Sequence, residues 1–179
     1  MKRIIAVILL GLPFLAFAQD QKDQKPATLR SILLDQLKTT HNNKDWFVPA
    51  NVAVEGLTAD QANWTDGKGN HSIGQLAYHL VFWNTQVLMK FKGETPPKFS
   101  GNNDETFTAF DAKKWTDTVQ QLDKVMIDLE KFVETADDKT IEKNAPTIAR
   151  IGTHNAYHIG QIIYIRRLQG SWNPEKGVK

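Results

Sequence analysis

The stretch from Ile148 to Leu168 constrains the fold more than any other part of the chain. Its apolar residues recur at helical spacing and no proline interrupts it, so it predicts one long amphipathic helix. The core-facing stripe of this helix consists of Ile151, His154, His158, Gln161, Ile165 and Leu168. Its three middle positions are polar, and burying them costs free energy unless each finds a partner. The helix therefore predicts a polar site inside a helical core.

Three other segments have helical periodicity. They run from Thr28 to Thr40, from Ser72 to Phe91 and from about Asp111 to Thr135. Pro146, followed by Thr147 as a possible N-cap, is typical of the start of the fourth helix. No segment has the alternating pattern of a strand. Four helices with one apolar stripe each predict an all-α four-helix bundle, and long connections after the first three helices favour crossovers over an up-and-down order.

The apolar stripes of the first three helices identify the rest of the expected core. They are Leu29, Ile32, Leu33 and Leu37, then Ile73, Leu76, Leu80, Trp83 and Val87, and finally Trp115, Val119, Leu122, Met126, Leu129 and Val133. Trp46 and Phe47 lie in the irregular connection after the first helix, and we expect them to tuck it against the bundle. We also expect a short helical turn from Thr58 to Trp64 and a loop from Ser100 to Asp104.

The first residues have the features of a targeting segment. Lys2 and Arg3 precede the apolar run from Ile4 to Phe17, and the small-residue pattern Ala-Phe-Ala ends at Ala18. Because the run is short for a membrane span, it predicts a signal peptide that is cleaved after Ala18. A retained membrane anchor is the alternative. The signal peptide predicts a bacterial protein that is periplasmic or secreted.

This interpretation sets the expected organisation of the chain and its charge. The expected chain comprises a signal peptide at 1–18, a flexible lead-in at 19–27, a four-helix bundle at 28–170 and a tail at 171–179. Cleavage removes two of the 22 Lys and Arg residues and none of the 20 Asp and Glu residues. The mature chain is then neutral, so we expect no nucleic-acid partner, and no membrane contact after cleavage. The chain has no cysteine, which excludes disulfides and thiolate ligands.

Three histidines form a candidate metal site. His154 and His158 project from one face of a helix about 6 Å apart along its axis, and His79 lies inside another long helix. Three imidazoles from two facing helices are a donor set that zinc and related cations accept. The alternative is three hydrogen-bonded core histidines, because histidine pairs at this spacing are common by chance. His41 and His71 lie at a helix end and in a loop, and we expect both on the surface.

Several neighbours of this cluster have two interpretations. Arg150, one turn before His154, either holds an anionic substrate group or is a solvated helix-start arginine. Gln75 and Gln161 are candidates for orienting the imidazoles. The sequence H-N-A-Y-H lacks the glutamate of the H-E-x-x-H metalloprotease motif, which disfavours peptide hydrolysis by that route. Three aromatic residues are candidate pocket walls or ordinary core residues: Trp64, Phe82 and Trp83.

Two motifs on the second and fourth helices resemble a known family. H-S-I-G-Q-L-A-Y-H-L begins at His71, and T-H-N-A-Y-H-I-G-Q-I begins at Thr153. The upstream segments D-W-F-V-P and E-G-L-T-A-D-Q-A-N-W have counterparts in its linkers. Together these motifs resemble the DinB/YfiT-like family of metalloenzymes, over roughly Thr28 to Gly170.

The resemblance implies a fold, a cofactor and a reaction class. The fold is a four-helix bundle with an unusual crossover order, and members are often dimeric, so a homodimer is an expected assembly. The cofactor is a divalent metal, zinc or nickel ahead of iron or manganese, held by His79, His154 and His158. The characterised reactions are thiol transfers, such as conjugation of bacillithiol or isomerisation with mycothiol. Such thiols are chiefly cytosolic, so the predicted export separates this chain from them.

Three hypotheses follow for the function. The first is an exported metal-dependent hydrolase or transferase that acts on a small molecule through a metal-bound water or substrate. The second is a non-catalytic, structural bundle in which the metal only satisfies polar core positions. The third is an exported interaction module without a metal.

Overall fold

The computed structural model describes residues 26–108 and 110–178. The α-helices are α1 (Leu29–His41), α2 (Ala50–Val54), α3 (Ala59–Asn63), α4 (Ile73–Phe91), α5 (Glu105–Thr108), α6 (Trp115–Thr135) and α7 (Asp138–Leu168). Single 3₁₀ turns occur at Ala112–Lys114 and Pro174–Lys176, and no strand is formed in the described ranges. The predicted signal peptide and residues 19–25 of the predicted lead-in lie outside these ranges. Over the same residues, none of the helices combines the length and the apolar character that crossing a bilayer requires.

The four long helices α1, α4, α6 and α7 form a bundle. Helices α1 and α4 each pack against both α6 and α7, so the order around the bundle is α1, α6, α4, α7. The consecutive long helices α1 and α4 are therefore diagonal, and the chain between them crosses the bundle. This arrangement confirms the predicted all-α four-helix bundle with crossover connections.

Three helices begin with a capping box. The hydroxyl of Ser72 accepts the backbone N–H of Gln75, whose side chain accepts the N–H of Ser72 in return. Thr58 caps α3 in the same way, and Thr28 caps α1. Each reciprocal pair satisfies two backbone donors that a helix start leaves free. The cap at Ser72 fixes where α4 begins and hence which way its side chains face.

Helix α7 is longer than the sequence predicts. It begins at Asp138 and includes Pro146 and Thr147 in its interior, and Asp137 is the N-cap that accepts the N–H of Thr140 at 2.8 Å. The predicted long connection before the fourth helix is therefore wrong, since only Ala136 and Asp137 join α6 to α7. Pro146 is exposed, so water can replace the backbone hydrogen bond that proline cannot donate.

The buried side chains form two apolar clusters along the bundle. One includes Leu76, Leu80 and Ile162, and the other includes Leu37, Leu129 and Ile148. Burial of each such side chain stabilises the fold by about 1.5–3 kcal/mol. On α7 the clusters are separated by the segment 152–158. That segment contains both candidate metal-binding histidines of α7, so the candidate site lies where the apolar core is interrupted.

Four apolar residues that we expect in the core or packed against the bundle are exposed. These are Leu29, Ile32, Trp46 and Leu168. Leu29 and Ile32 lie in the first turn of α1, Leu168 is the last residue of α7, and Trp46 is 89% exposed in the connection after α1. Periodicity identifies the face of a helix that turns inward, but it does not show where the neighbouring helices end.

His41 is buried rather than on the surface as predicted. Its side chain is 1% exposed, with Nδ1 at 2.7 Å from Glu130 Oε1 and Nε2 at 2.8 Å from Asp123 Oδ1. Burial alone lowers the pKa of His41, but hydrogen bonds to the two carboxylates outweigh burial and raise it. The packing of α1 on α6 brings these groups together across more than 80 residues. No local pattern around His41 indicates this contact.

Arg166 joins α7 to two other parts of the chain. This side chain is 5% exposed, and its guanidinium donates to the backbone carbonyls of Ala53 at 2.8 Å, Glu55 at 3.0 Å and Ser171 at 2.9 Å. The first two carbonyls belong to the end of α2, where backbone acceptors have no partner inside the helix. Arg166 therefore fixes both α2 and the segment after α7.

Candidate metal centre

The structure brings the three predicted histidines together. His79 extends from α4, and His154 and His158 extend from α7, one turn apart. The Nε2 atom of His154 lies 3.1 Å from Nε2 of His79 and 3.1 Å from Nε2 of His158. His79 and His158 are buried and His154 is half-buried. Among the residues described, this is the one group of three or more His, Cys, Asp or Glu side chains with converging ligand atoms.

Thr106 fixes the orientation of His79. The Oγ1 atom of Thr106 lies 2.6 Å from Nδ1 of His79 and 2.6 Å from the backbone carbonyl oxygen of Asn103. A hydroxyl has one proton, and the carbonyl can only accept it. Nδ1 of His79 therefore donates to Thr106, and the lone pair of the neutral imidazole is on Nε2.

Gln161 has the corresponding role for His158. Its Oε1 atom accepts from Nδ1 of His158 at 2.6 Å, and its amide nitrogen lies 3.4 Å from the hydroxyl of Tyr157. Nε2 of His158 is left with its lone pair toward the other two rings. The prediction that Gln161 orients an imidazole is confirmed, with Gln161 accepting the hydrogen bond. Gln75 does not reach the site, because it caps α4 with Ser72.

The three nitrogens fit a bound cation. His79 and His158 both present lone pairs, and His154 has one ring proton to offer, so it cannot donate to both of them. Without a cation, at least one of the two contacts at Nε2 of His154 lacks a hydrogen bond. Two zinc–nitrogen bonds of about 2.0–2.1 Å that meet at an angle between about 90° and 109° place their nitrogens about 2.8–3.4 Å apart. The two separations of 3.1 Å lie within this range.

The surroundings keep the three imidazoles neutral. Burial, with the neighbouring histidines, lowers the pKa of His79 to about 3. Burial and His154 lower the pKa of His158 to about 4, against a hydrogen bond with Gln161 that raises it. Burial also lowers the pKa of His154. All three are therefore unprotonated at neutral pH, which is the form that binds metals.

Phe107 covers one side of the triad. Its ring stacks on the imidazole of His79 with centroids 4.0 Å apart, and the imidazole of His71 stacks on Phe107 at 3.8 Å. His71 is exposed as predicted, so the three rings lead from the surface to the site. Thr106 and Phe107 both belong to α5, a short helix that the periodicity of the sequence does not predict. Its signal in the sequence is Phe107, one of three phenylalanines in a mostly polar stretch after Pro97.

A cavity of about 550 Å³ opens on the triad. Besides the three histidines, its lining consists of Trp83, Asn84, Val87, Asn103, Phe107, Thr147, Arg150, Ile151 and Tyr157. Of the three aromatic residues predicted as candidate walls, Trp83 is in this lining, whereas Phe82 and Trp64 are not. Of the lining residues within 26–108 and 110–178, Arg150 alone has a formal charge at neutral pH. The site is thus an electropositive recess with aromatic walls.

Asn84 and Asn155 form a buried polar contact beside the site. The amide of Asn84 on α4 donates to Oδ1 of Asn155 on α7 at 3.1 Å, and both residues are 1% exposed. This hydrogen bond joins the two helices that carry the three histidines. It helps to hold His79 opposite His154 and His158.

The comparisons with known proteins identify one family. A family model described as the DinB superfamily matches residues 50–162. The matched region includes all three histidines, Thr106, Phe107 and Arg150, and it covers more than half of the chain. No curated protein and no solved structure matches the sequence significantly.

Proposed function

Because the chain belongs to the DinB superfamily, we propose that His79, His154 and His158 hold a divalent metal ion in an exported metal-dependent hydrolase or transferase. The substrate is a small molecule that enters the cavity beside the triad. Imidazole nitrogens suit zinc, nickel and iron, and zinc or nickel is the preferred ion, ahead of iron or manganese. A bound divalent cation would lower the pKa of a coordinated water and would polarise a substrate oxygen.

The observation that carries this proposal is the convergence of three Nε2 atoms, two of which belong to imidazoles whose ring proton is held on Nδ1. Thr106 and Gln161 accept the Nδ1 protons of His79 and His158. Such partners orient metal-binding histidines and increase their basicity. A core that needed only hydrogen-bonded histidines would instead pair each ring nitrogen with a donor or an acceptor of its own.

The cavity supports a functional rather than a purely structural ion. Structural zinc sites are closed by four protein ligands, whereas catalytic sites keep a position open. The triad supplies three ligands, and a cavity of about 550 Å³ adjoins them. Around it, Phe107 excludes water from one face of His79, and Trp83 and Tyr157 offer aromatic surface to a substrate. Arg150 offers a positive charge.

Elemental analysis of protein purified without an affinity tag tests the metal site. We expect about one divalent ion per chain, and we expect His158→Ala to abolish binding. His71→Ala is the matched control, since His71 stacks on Phe107 but belongs to no ligand set, and this variant should keep its ion. A wild-type protein that binds none of zinc, nickel, iron or manganese would refute the proposal.

The structural alternative has one observation in its favour, which is that the triad joins α4 to α7. An ion that served only the fold would raise the melting temperature strongly, and its removal would unfold the bundle. Comparison of metal-free and metal-loaded protein by thermal unfolding distinguishes the two cases. For an open functional site we expect His158→Ala to lose the ion while the bundle stays folded.

Export is tested separately. The predicted cleavage after Ala18 leaves Gln19 as the first residue of the mature protein. Fractionation of a bacterial host followed by N-terminal sequencing should find this terminus outside the cytoplasm. An uncleaved chain in the membrane fraction would favour the retained anchor instead.

A further inference from the structure

We propose that the cavity beside the triad accepts a small molecule with an anionic group, a carboxylate or a phosphate, and that Arg150 binds this group. The inference rests on the proposed function, because it names the substrate class of the same site. It assigns the anion to one end of the cavity, with an apolar or aromatic body between the anion and the triad.

The first argument is the position of Arg150. It lies one turn before His154 on α7, about 6 Å along the helix axis, and both side chains line the same cavity. Within the described residues its guanidinium forms neither a hydrogen bond nor an ion pair. Arg30 and Arg166, by contrast, each donate to several backbone carbonyls. Arg150 therefore remains available to a ligand.

The second argument is the charge of the lining. Among the described residues, no aspartate or glutamate lines the cavity, and imidazoles bind metals as neutral ligands. Neutral ligands would leave the charge of a bound divalent ion uncompensated, and Arg150 adds to it. A cavity with this net positive charge attracts anions and repels cations. A guanidinium is also the side chain best suited to bind a carboxylate or a phosphate through two parallel hydrogen bonds.

The third argument is the composition of the remaining wall. Trp83, Phe107 and Tyr157 provide aromatic surface, and Val87 and Ile151 provide aliphatic surface. A volume of about 550 Å³ is suited to a small molecule rather than to a polymer segment. The expected ligand therefore combines a single anionic end with an apolar body.

The test compares three probes with the same body and different charges. These are 4-phenylbutyrate, its primary amide and 4-phenylbutylamine, titrated into the metal-loaded protein and followed by calorimetry or ligand-observed NMR. We expect the carboxylate to bind about tenfold more tightly than the amide, and the amine to bind more weakly than either. Arg150→Gln should remove most of this preference, and Arg150→Lys should retain part of it.

The matched control is Arg167→Gln, because Arg167 is also exposed on α7 but does not line the cavity. It should leave the preference for the carboxylate unchanged. Equal binding of carboxylate and amide to the wild type, no carboxylate binding at millimolar concentration, or an unchanged preference in Arg150→Gln would each overturn the inference.

Metal content, measured on the same samples, separates this inference from the proposed function. Arg150 is not among the three ligands, so Arg150→Gln should keep about one ion per chain. A wild-type protein without metal would contradict the proposed function itself. A metal-loaded protein without a carboxylate preference would contradict only the role of Arg150.

Discussion

Thr106 and His79, 27 residues apart in the chain, share a 2.6 Å hydrogen bond between Oγ1 and Nδ1. This contact places α5 against the candidate metal centre and decides which nitrogen of His79 is free to bind. The proton of Thr106 goes to the carbonyl of Asn103. A segment without regular periodicity thus determines the chemical state of a core histidine.

The first prediction is that Thr106→Val weakens metal binding without removing it. Valine has nearly the same shape but accepts no hydrogen bond, so His79 loses the partner that orients its ring. Loss of such a partner typically lowers metal affinity about 10- to 100-fold. Titration against a chelator of known affinity measures the change. Thr108→Val, at an exposed position in the same helix, should bind metal like the wild type, and equal affinity in both variants would contradict the prediction.

The second prediction concerns the pH dependence of stability at His41. Its folded pKa is raised above the unfolded value, so protonation favours the folded state. The stabilisation is complete below the unfolded pKa of about 6.5 and is lost as the pH rises through the folded pKa. Denaturant unfolding of the wild type and of His41→Gln, compared at about pH 6 and pH 9, measures it.

The quantity to compare is the difference in free energy of unfolding between the wild type and His41→Gln at each pH. The lowered pKa values of His79, His154 and His158 make stability rise with pH, and this opposite trend is common to both proteins. We expect the wild type to exceed His41→Gln in free energy of unfolding by more at the lower pH. A gap that is constant or grows with pH would show that His41 is not held as an imidazolium between Asp123 and Glu130.

The third prediction compares two glycines in long helices. A Cβ atom on Gly74 would overlap the ring of Phe110, whereas a Cβ atom on Gly160 would meet nothing within 4 Å. Gly74→Ala should therefore destabilise the protein by about 1–3 kcal/mol. Gly160→Ala should stabilise it by up to about 1 kcal/mol, because alanine favours the helix. Thermal unfolding checks both, and a stabilised Gly74→Ala would mean that Phe110 does not pack against α4.

Local patterns predicted the parts of the molecule that depend on local interactions. Helical periodicity predicted the segment from Ser72 to Phe91, which is α4, and the spacing of His154 and His158 follows from helix geometry. His79 was predicted because a histidine inside a long helix needs a partner. These features, with the apolar stripes, were enough to define the bundle and the histidine triad.

Contacts between distant segments were the part that the sequence did not reveal. The carboxylates that bury His41 lie on α6, and Thr106 reaches His79 from a helix of four residues. Pro146 indicated a helix start, but α7 passes through it, because tertiary packing and the cap at Asp137 outweigh one lost hydrogen bond. For His41 and His79 the partner lies far along the chain, and for Pro146 the energetic cost of the lost hydrogen bond is small.

The fourth prediction is that Arg166, which has no part in the candidate site, is essential for stability. Replacing it with methionine keeps the apolar stem but leaves the carbonyls of Ala53, Glu55 and Ser171 without their donor. The expected loss is about 2–4 kcal/mol of unfolding free energy, since buried acceptors without partners cost about 1–3 kcal/mol each and relax in part.

Arg167→Gln, at the exposed neighbouring position, should change stability by less than about 0.5 kcal/mol. Denaturant unfolding measures both variants, and metal content should stay the same in both because neither residue lines the cavity. If Arg166→Met were as stable as Arg167→Gln, then α2 would be held to α7 by apolar packing alone.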